Sequence, residues 1–326
     1  MLENIDRKIL YSLDEDSAKS LTKISQEVGI SPQLVKYHLA RLKKAGLILA
    51  YWPMLDFRKL GYFNVSYFLK LKNLAAENEK ELLQYLKNGN NFNIVMRGDG
   101  YWDLHITISA KSLFAAVEIF NDFYDLFHTC ILSCETAISV GFYQFRRVYL
   151  AGQKTNRASQ AMAFTGGDVA QIKLNKKQLA LVESLNKNCR QSYADLAKHL
   201  HISRERVIAN VAKLKKLGIV QSNALLIEHE KVGFSRYRVL LQMTNFTSAK
   251  AESFFVFCQQ NPNIINFLKL FGNWQALIDV EIESREKLRK LFEEIMQKYG
   301  EVVLRLESTN VYKIEKFRDV PNRLEA

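Results

Sequence analysis

One stretch of this sequence occurs twice, and the distance between its copies constrains what the chain can fold into. Ser31 begins a run through Val35, Leu39 and Leu42 to Gly46-Leu47-Ile48, and Ser203 begins the same run 172 positions later, through Val207 and Leu214 to Gly218-Ile219-Val220. The offset holds without a gap well beyond these stretches. Gly61 maps to Gly233, Leu69 to Leu241, Gly100 to Gly272, Trp102 to Trp274, Glu135 to Glu307 and Phe145 to Phe317. A unit of about 150 residues has been duplicated, and each copy is long enough for a small module plus a second domain.

The repeated stretch reads as a helix with defined ends. Ser31 is a natural N-cap and Pro32 a natural first helical residue, because its missing N–H would have been unpaired anyway. Val35, Leu39 and Leu42 form one apolar stripe, and Gly46 supplies the left-handed stop. Upstream, Ser20 caps a shorter helix through Ile24 and Val28 that ends at Gly29. Two short helices meeting at Gly29-Ile30 make a helix-turn-helix, whose second helix can enter a DNA major groove. In the second copy His201 occupies the slot of Gly29, and histidine is among the residues that tolerate left-handed geometry.

The chain has 326 residues, 48% of them apolar, enough to bury several cores. Lysine and arginine number 46 against 34 acids, a net charge of +12 that favours polyanionic partners. Cys130, Cys134, Cys189 and Cys258 form no dense framework, and no apolar run approaches the ~18 residues of a membrane span. These features predict a soluble cytoplasmic protein with no membrane partner.

In order, a first helix is expected from Asn4 to Leu13, completing a three-helix module over 1–50. The chain then turns extended until Tyr51-Trp52-Pro53 breaks it. Over 60–150 the pattern predicts a strand at Val65–Lys72, a helix at Glu77–Lys87, and a strand at Phe92–Arg97. The turn Gly98-Asp99-Gly100 follows, then a strand at Trp102–Ile108, a helix capped by Ser112, and a strand at Ile131–Val140. That βαββαβ order is ferredoxin-like, an antiparallel sheet with two helices on one face. Residues 151–172, with Gly152, Thr155, Ser159, Gly166 and Gly167, read as a linker. The second copy repeats the plan, with a helix-turn-helix over 173–222 and a sheet domain over 232–318. Its strands are expected near Tyr237–Met243, Ile264–Leu270, Trp274–Ile282 and Val302–Tyr312. The fold class is α+β in tandem. A flexible linker of about 22 residues reaches roughly 25 Å, so the two sheet domains are expected to pack together as an intrachain pseudo-dimer.

A helix-turn-helix followed by a βαββαβ domain with Gly100-Tyr101-Trp102-Asp103-Leu104 resembles the Lrp/AsnC family of feast/famine regulators. The resemblance covers nearly the whole chain twice. It implies a sequence-specific transcriptional regulator that pairs through its sheet domains, binds double-stranded DNA, assembles into further homo-oligomers and responds to a small effector such as an amino acid. Carried onto this chain, it points to DNA contacts from Ser31, Gln33, Lys36, Tyr37, Arg41 and Lys44. Ser203, Arg204, Arg206, Asn210, Lys213 and Lys216 are their counterparts in the second copy. It points to effector contacts from Gly98, Gly100, Tyr101, Asp103, Gly272 and Asn273, with Asp103 holding a ligand ammonium group. The chain departs from the family where arginines commonly follow the valine: Tyr37 and His38 stand there, and Ala209 and Asn210 in the second copy. Gln275 replaces Asp103 in the second copy.

The bland readings stand beside these. Gly98-Asp99-Gly100 is also a standard hairpin signal. Trp102 and Trp274 read as core or interface residues rather than ligand stackers. Cys130 and Cys134 would share one side of a strand without zinc-finger spacing, so no metal site is expected; no cofactor and no catalytic set is visible either. A rival class is an enzyme: sirohaem decarboxylases share this two-domain plan, and His105 is the one sheet histidine, its counterpart being Leu277. A DNA-packing protein with little sequence preference is a third reading. Finally, residues 1–50 hold eight Lys/Arg and six Asp/Glu, whereas 173–222 hold eleven and three. The second module is therefore expected to carry most of the electrostatic affinity.

Overall fold

The computed structural model describes residues 2–72, 75–151, 163–167, 170–321 and 323–324. Gly152, Thr155 and Ser159 of the expected linker lie outside them. The first module is three helices, α1 (Asn4–Glu15), α2 (Leu21–Val28) and α3 (Pro32–Lys44). Ser31 caps α3 by accepting from the Leu34 amide at 3.2 Å, and Gly29 ends α2 at φ 79°. The second module repeats this as α6 (Lys176–Lys187), α7 (Tyr193–Leu200) and α8 (Arg204–Lys216), with His201 at φ 51° ending α7.

Each sheet domain has the expected βαββαβ order. The first comprises β2 (Phe63–Leu71), α4 (Ala76–Asn88), β3 (Phe92–Gly100), β4 (Leu104–Ala110), α5 (Leu113–Phe127) and β5 (Ile131–Gln144). The second comprises β8 (Ser235–Met243), α9 (Ser248–Gln260), β9 (Ile264–Gly272), β10 (Ala276–Ile282), α10 (Arg285–Tyr299) and β11 (Val303–Phe317). Alternation along each strand sends Val65, Tyr67 and Leu69 under α4 and α5, where they pack with Leu82, Leu86 and Phe123. Val239, Leu241 and Ile278 do the same against Phe254 and Ile295 in the second domain.

The sheets do not merely face one another; they join edge to edge. β3 pairs with β11 and β5 pairs with β9, both antiparallel, so the order β5-β2-β4-β3-β11-β8-β10-β9 closes into a ring. The registers are equivalent: Gly100 opposes Thr309, and Gly272 opposes Ala137. The remaining strand, β6 (Ala163–Gly166), pairs with the end of β5. Part of the expected linker is thus sheet.

Two further expectations are corrected. Tyr51-Trp52-Pro53 does not interrupt the extended run: β1 (Ile48–Leu55) passes through it and pairs with β7 (Val220–Ile227) in a two-stranded ribbon. Both strands of such a ribbon are edges, where proline's missing donor is tolerated. Gly98-Asp99-Gly100 is not the turn but the end of β3, laid against Val311, Asn310 and Thr309. A Cβ on Gly100 would sit 2.6 Å from the Ser308 carbonyl oxygen, so this glycine serves the close approach of a strand from the other unit.

The ribbon also finishes both helical modules. The core of the first contains Ile9, Leu13, Val35 and Leu42 together with Leu225, Ile227 and Phe234 of the second unit. The core of the second contains Leu181, Leu196 and Val207 together with Leu55, Phe57 and Tyr62 of the first. Each module is completed by the other unit. Leu225→Ala, at a fully buried position of β7, is therefore expected to cost about 2–5 kcal/mol and to accelerate amide hydrogen exchange in α1–α3, more than 170 residues away in sequence, while sparing α6–α8. Faster exchange confined to α6–α8 would contradict this arrangement.

Candidate nucleic-acid interface and the barrel interior

The recognition helices are α3 and α8. On α3, Ser31, Gln33, Lys36, Tyr37 and Lys44 are exposed, and Tyr37 projects with 60% of its surface open. Arg41 is placed otherwise. Its guanidinium donates to Glu3 at 2.5 Å and to Asp6 at 2.6 Å, and Asp6 also holds buried His38 at 2.8 Å. Burial alone would raise Asp6; Arg41 and His38 keep it below its ordinary value. Glu3, Asp6 and His38 lie close enough to gather around a cation, but Arg41 already supplies the positive charge there. On α8, Ser203, Arg204, Arg206, Lys213 and Lys216 are exposed, and no salt bridge among the described residues ties down these four cations. Asn210 is half-buried, donating to the Arg206 carbonyl and accepting from Gln178. Arg41 and Asn210 thus hold their helices against α1 and α6 rather than standing free.

The glycine-turn residues explain themselves by comparison between copies. Asp103 accepts from Lys70 at 2.7 Å and from the Leu71 amide at 2.8 Å, while Lys70 also donates to the Gly100 carbonyl. In the second unit Gln275 does both jobs: its Oε1 accepts from the Met243 amide and its Nε2 donates to the Gly272 carbonyl. Asp103 is a turn-holding residue whose charge is met by Lys70. Tyr101 donates to Glu135, which also accepts from the Trp274 indole N–H at 2.5 Å, so this aromatic pair links the two units. Gly272 and Asn273 are exposed beside it. Trp102 and Trp274 are both 1% exposed, as core residues should be. Cys130 is buried and Cys134 exposed, since Cys130 precedes the strand; they do not share a side.

The barrel interior carries a polar cluster that pattern reading did not find. Asp279 on β10 accepts from Arg238 at 2.7 and 2.9 Å, from Arg236 at 2.9 Å and from Asn266 at 2.8 Å. Burial would raise its carboxyl, but the two guanidiniums hold it far below the carboxylate range. Arg238 also donates across the unit boundary to His105 Nδ1 at 2.8 Å, and Phe68 stacks on that imidazole at 4.5 Å. Burial and then Arg238 push His105 well below its ordinary value, so it sits there neutral. A second cluster ties the first module to the barrel. Arg147 donates to Asp14 of α1 at 2.7 Å and to Glu281 of β10 at 2.8 Å, all three buried. Deleting one partner of such a set would leave an uncompensated buried charge. The only signal in sequence was charge at inward positions of otherwise apolar strands.

His229 lies beside this second cluster, in the turn preceding β8 and at the counterpart position of Phe57. Burial, with Arg236 and Arg147, lowers it from 6.5 to about 4, against the pull of Glu281. A depressed histidine contributes stability that is complete above its unfolded value and is lost as pH falls from 6.5 towards 4. Asp319, raised by burial to about 7, works in the opposite direction, losing stability as pH rises from 3.8 towards 7. His229→Phe is expected to be relatively more stable than the parent at pH 5 than at pH 7, by about 2 kcal/mol. Denaturant titrations at the two pH values measure this, and an unchanged pH dependence would refute the assignment.

Comparison with known proteins accords with this architecture. The profile described as winged helix-turn-helix DNA-binding matches residues 2–48 and again 174–221. An uncharacterized HTH-type transcriptional regulator of Pyrococcus furiosus is 26% identical over 151 residues, 46% of this chain and 100% of that protein. The HTH-type transcriptional regulator LrpB of Bacillus subtilis is 22% identical over 142 residues, 44% of this chain and 93% of its own. A similar regulator of Pyrococcus abyssi is 32% identical over 71 residues, and there the match spans about half, 48%, of the relative's length. The longer matches have the length of one repeat. Over the whole chain the siroheme decarboxylase NirDL has the same fold, with a TM-score of 0.62 at 12% identity, covering 98% of this chain and 94% of that one. No helix among the described residues is long and apolar enough to cross a membrane. Each of the two tandem units, a winged helix-turn-helix module followed by a ferredoxin-like domain, is thus similar to HTH-type transcriptional regulators such as LrpB.

Proposed function

We propose that the chain is a sequence-specific DNA-binding transcriptional regulator in which both recognition helices serve one protein–DNA complex. The observation that carries this is the exposed cationic face of α8, mounted on a module whose core is welded to the barrel. Arg204, Arg206, Lys213 and Lys216 supply phosphate contacts, while Gln33, Lys36 and Tyr37 of α3 contribute base-edge and apolar contacts. Lys44 stands towards the backbone at the end of α3. Arg41, held by Glu3 and Asp6, is assigned to the scaffold.

The enzyme reading has the whole-chain likeness to a decarboxylase in its favour. Against it, the barrel cavity beside His105 and Arg238 is about 50 Å³, below the roughly 300 Å³ at which small-molecule sites begin. His105 is also already stacked and hydrogen-bonded. A tetrapyrrole does not fit that interior as it stands.

Selection of bound fragments from genomic DNA tests the regulator reading: enrichment of a discrete site supports it, and uniform binding of all fragments favours a packing protein. The asymmetry between modules is tested by affinity against salt. Arg206→Ala with Lys213→Ala is expected to flatten the slope of log K against log salt by close to two contacts, about 0.9 each. Lys36→Ala with Lys44→Ala is expected to flatten it less. The reverse order would refute the assignment of most electrostatic affinity to the second module.

A further inference from the structure

The duplication supplies an internal control, because each position in one unit has a counterpart showing what the scaffold alone requires. One cavity stands out by that measure. It has a volume of about 380 Å³ and lies between the turn after β1, the start of β2 and the second half of β5, with Gly167 and Gln171 as its outer wall. That volume is in the range of small-molecule sites. Phe63, Leu113 and Val140 line it while remaining 41%, 42% and 37% exposed. Their counterparts are Ser235, Arg285 and Tyr312, so the apolar lining is a property of the first unit and not of the fold. On the second unit the counterpart of Tyr62, Phe234, is covered by Tyr149 with ring centroids 4.0 Å apart; the residue matching Tyr149 is Pro321.

The outer wall exists only once because the chain has one connector. The Ile172 amide donates to the Lys59 carbonyl at 2.7 Å, which lays Gln171 across Gly61. A Cβ there would lie 3.0 Å from the Gln171 amide oxygen, whereas a Cβ on the counterpart Gly233 would meet nothing within 4 Å. Arg58 gives the cavity its polar end. It holds Asp56 at 3.0 and 2.9 Å and the Gly167 carbonyl at 2.5 Å, which leaves two of its five N–H groups without a partner among the described residues. Among the described residues no acidic side chain lines the cavity.

We propose that this cavity binds a small monocarboxylate with an aromatic or branched aliphatic body, its carboxylate on Arg58 and its body against Tyr62, Phe63, Leu113 and Val140. A free amino acid is the poorer ligand, because its ammonium group would be desolvated with no carboxylate among the described lining residues to receive it. Phe57 and Tyr62 are also core residues of the second helix-turn-helix module, so occupancy bears on the module with the greater positive charge. This consequence rests on the regulator reading; the binding itself does not.

Calorimetric titration of the full chain with phenylpyruvate and with 4-methyl-2-oxopentanoate tests the site, with L-phenylalanine as comparator. Saturable binding of at least one oxo acid is expected, weakened at least tenfold in Arg58→Gln. Val140→Tyr, which installs the residue the second unit already carries there, should abolish binding while leaving circular dichroism and the melting transition unchanged. Equal or tighter binding of phenylalanine overturns the ligand class, and binding that persists in Val140→Tyr overturns the site. Failure of both oxo acids to bind overturns the proposal outright. DNA affinity is measured on the same samples. An affinity unmoved at ligand saturation overturns the coupling, whereas absence of DNA binding both with and without ligand would sink the regulator reading and leave the cavity assignment intact.

Discussion

Everything in this molecule depends on the strand pairing that joins the two units, β3 to β11 and β5 to β9. A four-stranded sheet standing alone presents two edges of unpaired N–H and C=O groups, and a ring presents none. Closure also fixes what the interior can hold. Arg238, Arg236 and Asp279 are nearly inaccessible to water, and such charges are tolerable only when each is met by a partner at short range. The ribbon of β1 and β7 follows from the same geometry, since it carries each helical module over to the opposite unit. Sheet, ribbon and modules are joined through shared cores, which two separate domains on a string would not be.

The approximate two-fold axis can be located by residues that meet their own counterparts. Trp52 opposes Ala224 in the ribbon, and the Ser17 hydroxyl lies 3.3 Å from the Cys189 thiol; both pairs are separated by the repeat offset. In a dimer of identical chains the same residue would face itself at such points. Two tryptophans do not fill the volume of one tryptophan and one alanine, so this packing is available only because duplication freed the copies to differ. The barrel interior uses the same freedom. Arg236, Arg238, Asp279 and Glu281 stand in the second unit where Asn64, Ser66, Thr107 and Ser109 stand in the first. At these four positions the second unit carries the charges; from the first unit His105 receives Arg238 and Arg147 receives Glu281.

How much was legible beforehand follows the range of the interactions. The caps at Ser31 and Ser203, the left-handed His201 and the βαββαβ order are set within a few residues and were all visible. The role of Gly98 to Gly100 was not, because the strand that forces glycine there comes from more than 200 residues away. Pro53 misled for the same reason: it breaks a central strand but not an edge, and only the fold decides which it is. Arg41 looked like a groove contact because a helical wheel shows its own helix and omits Glu3 and Asp6 on α1. The structural part of Asp103 was hidden as well: it and Lys70 together hold the Leu71 amide and the Gly100 carbonyl, whose counterparts Gln275 holds alone. The buried arginine cluster had no local signature at all. Its partners sit on different strands, and only ring closure turns their side chains towards one another.

The asymmetry that duplication allowed extends to the DNA-binding surface. A dimer of identical chains presents two identical recognition helices related by a two-fold axis, and the site it reads inherits that symmetry. Here the two helices differ where they face outward: Pro32, Leu34 and Tyr37 on α3 correspond to Arg204, Arg206 and Ala209 on α8. In the proposed reading Tyr37 offers a bulky, partly apolar contact, while Ala209 between Arg206 and Lys213 lets the backbone approach the groove with cations on either side. The internal pairing of Arg41 and of Lys19 with Glu15 and Glu27 lowers the free charge of the first module further. A polyanion therefore meets two unequal surfaces held in fixed relation by one barrel. In the reading proposed above, the strongly cationic module dominates the encounter and the other adds discrimination through shape and apolar contact, so the complex has a defined direction on its DNA.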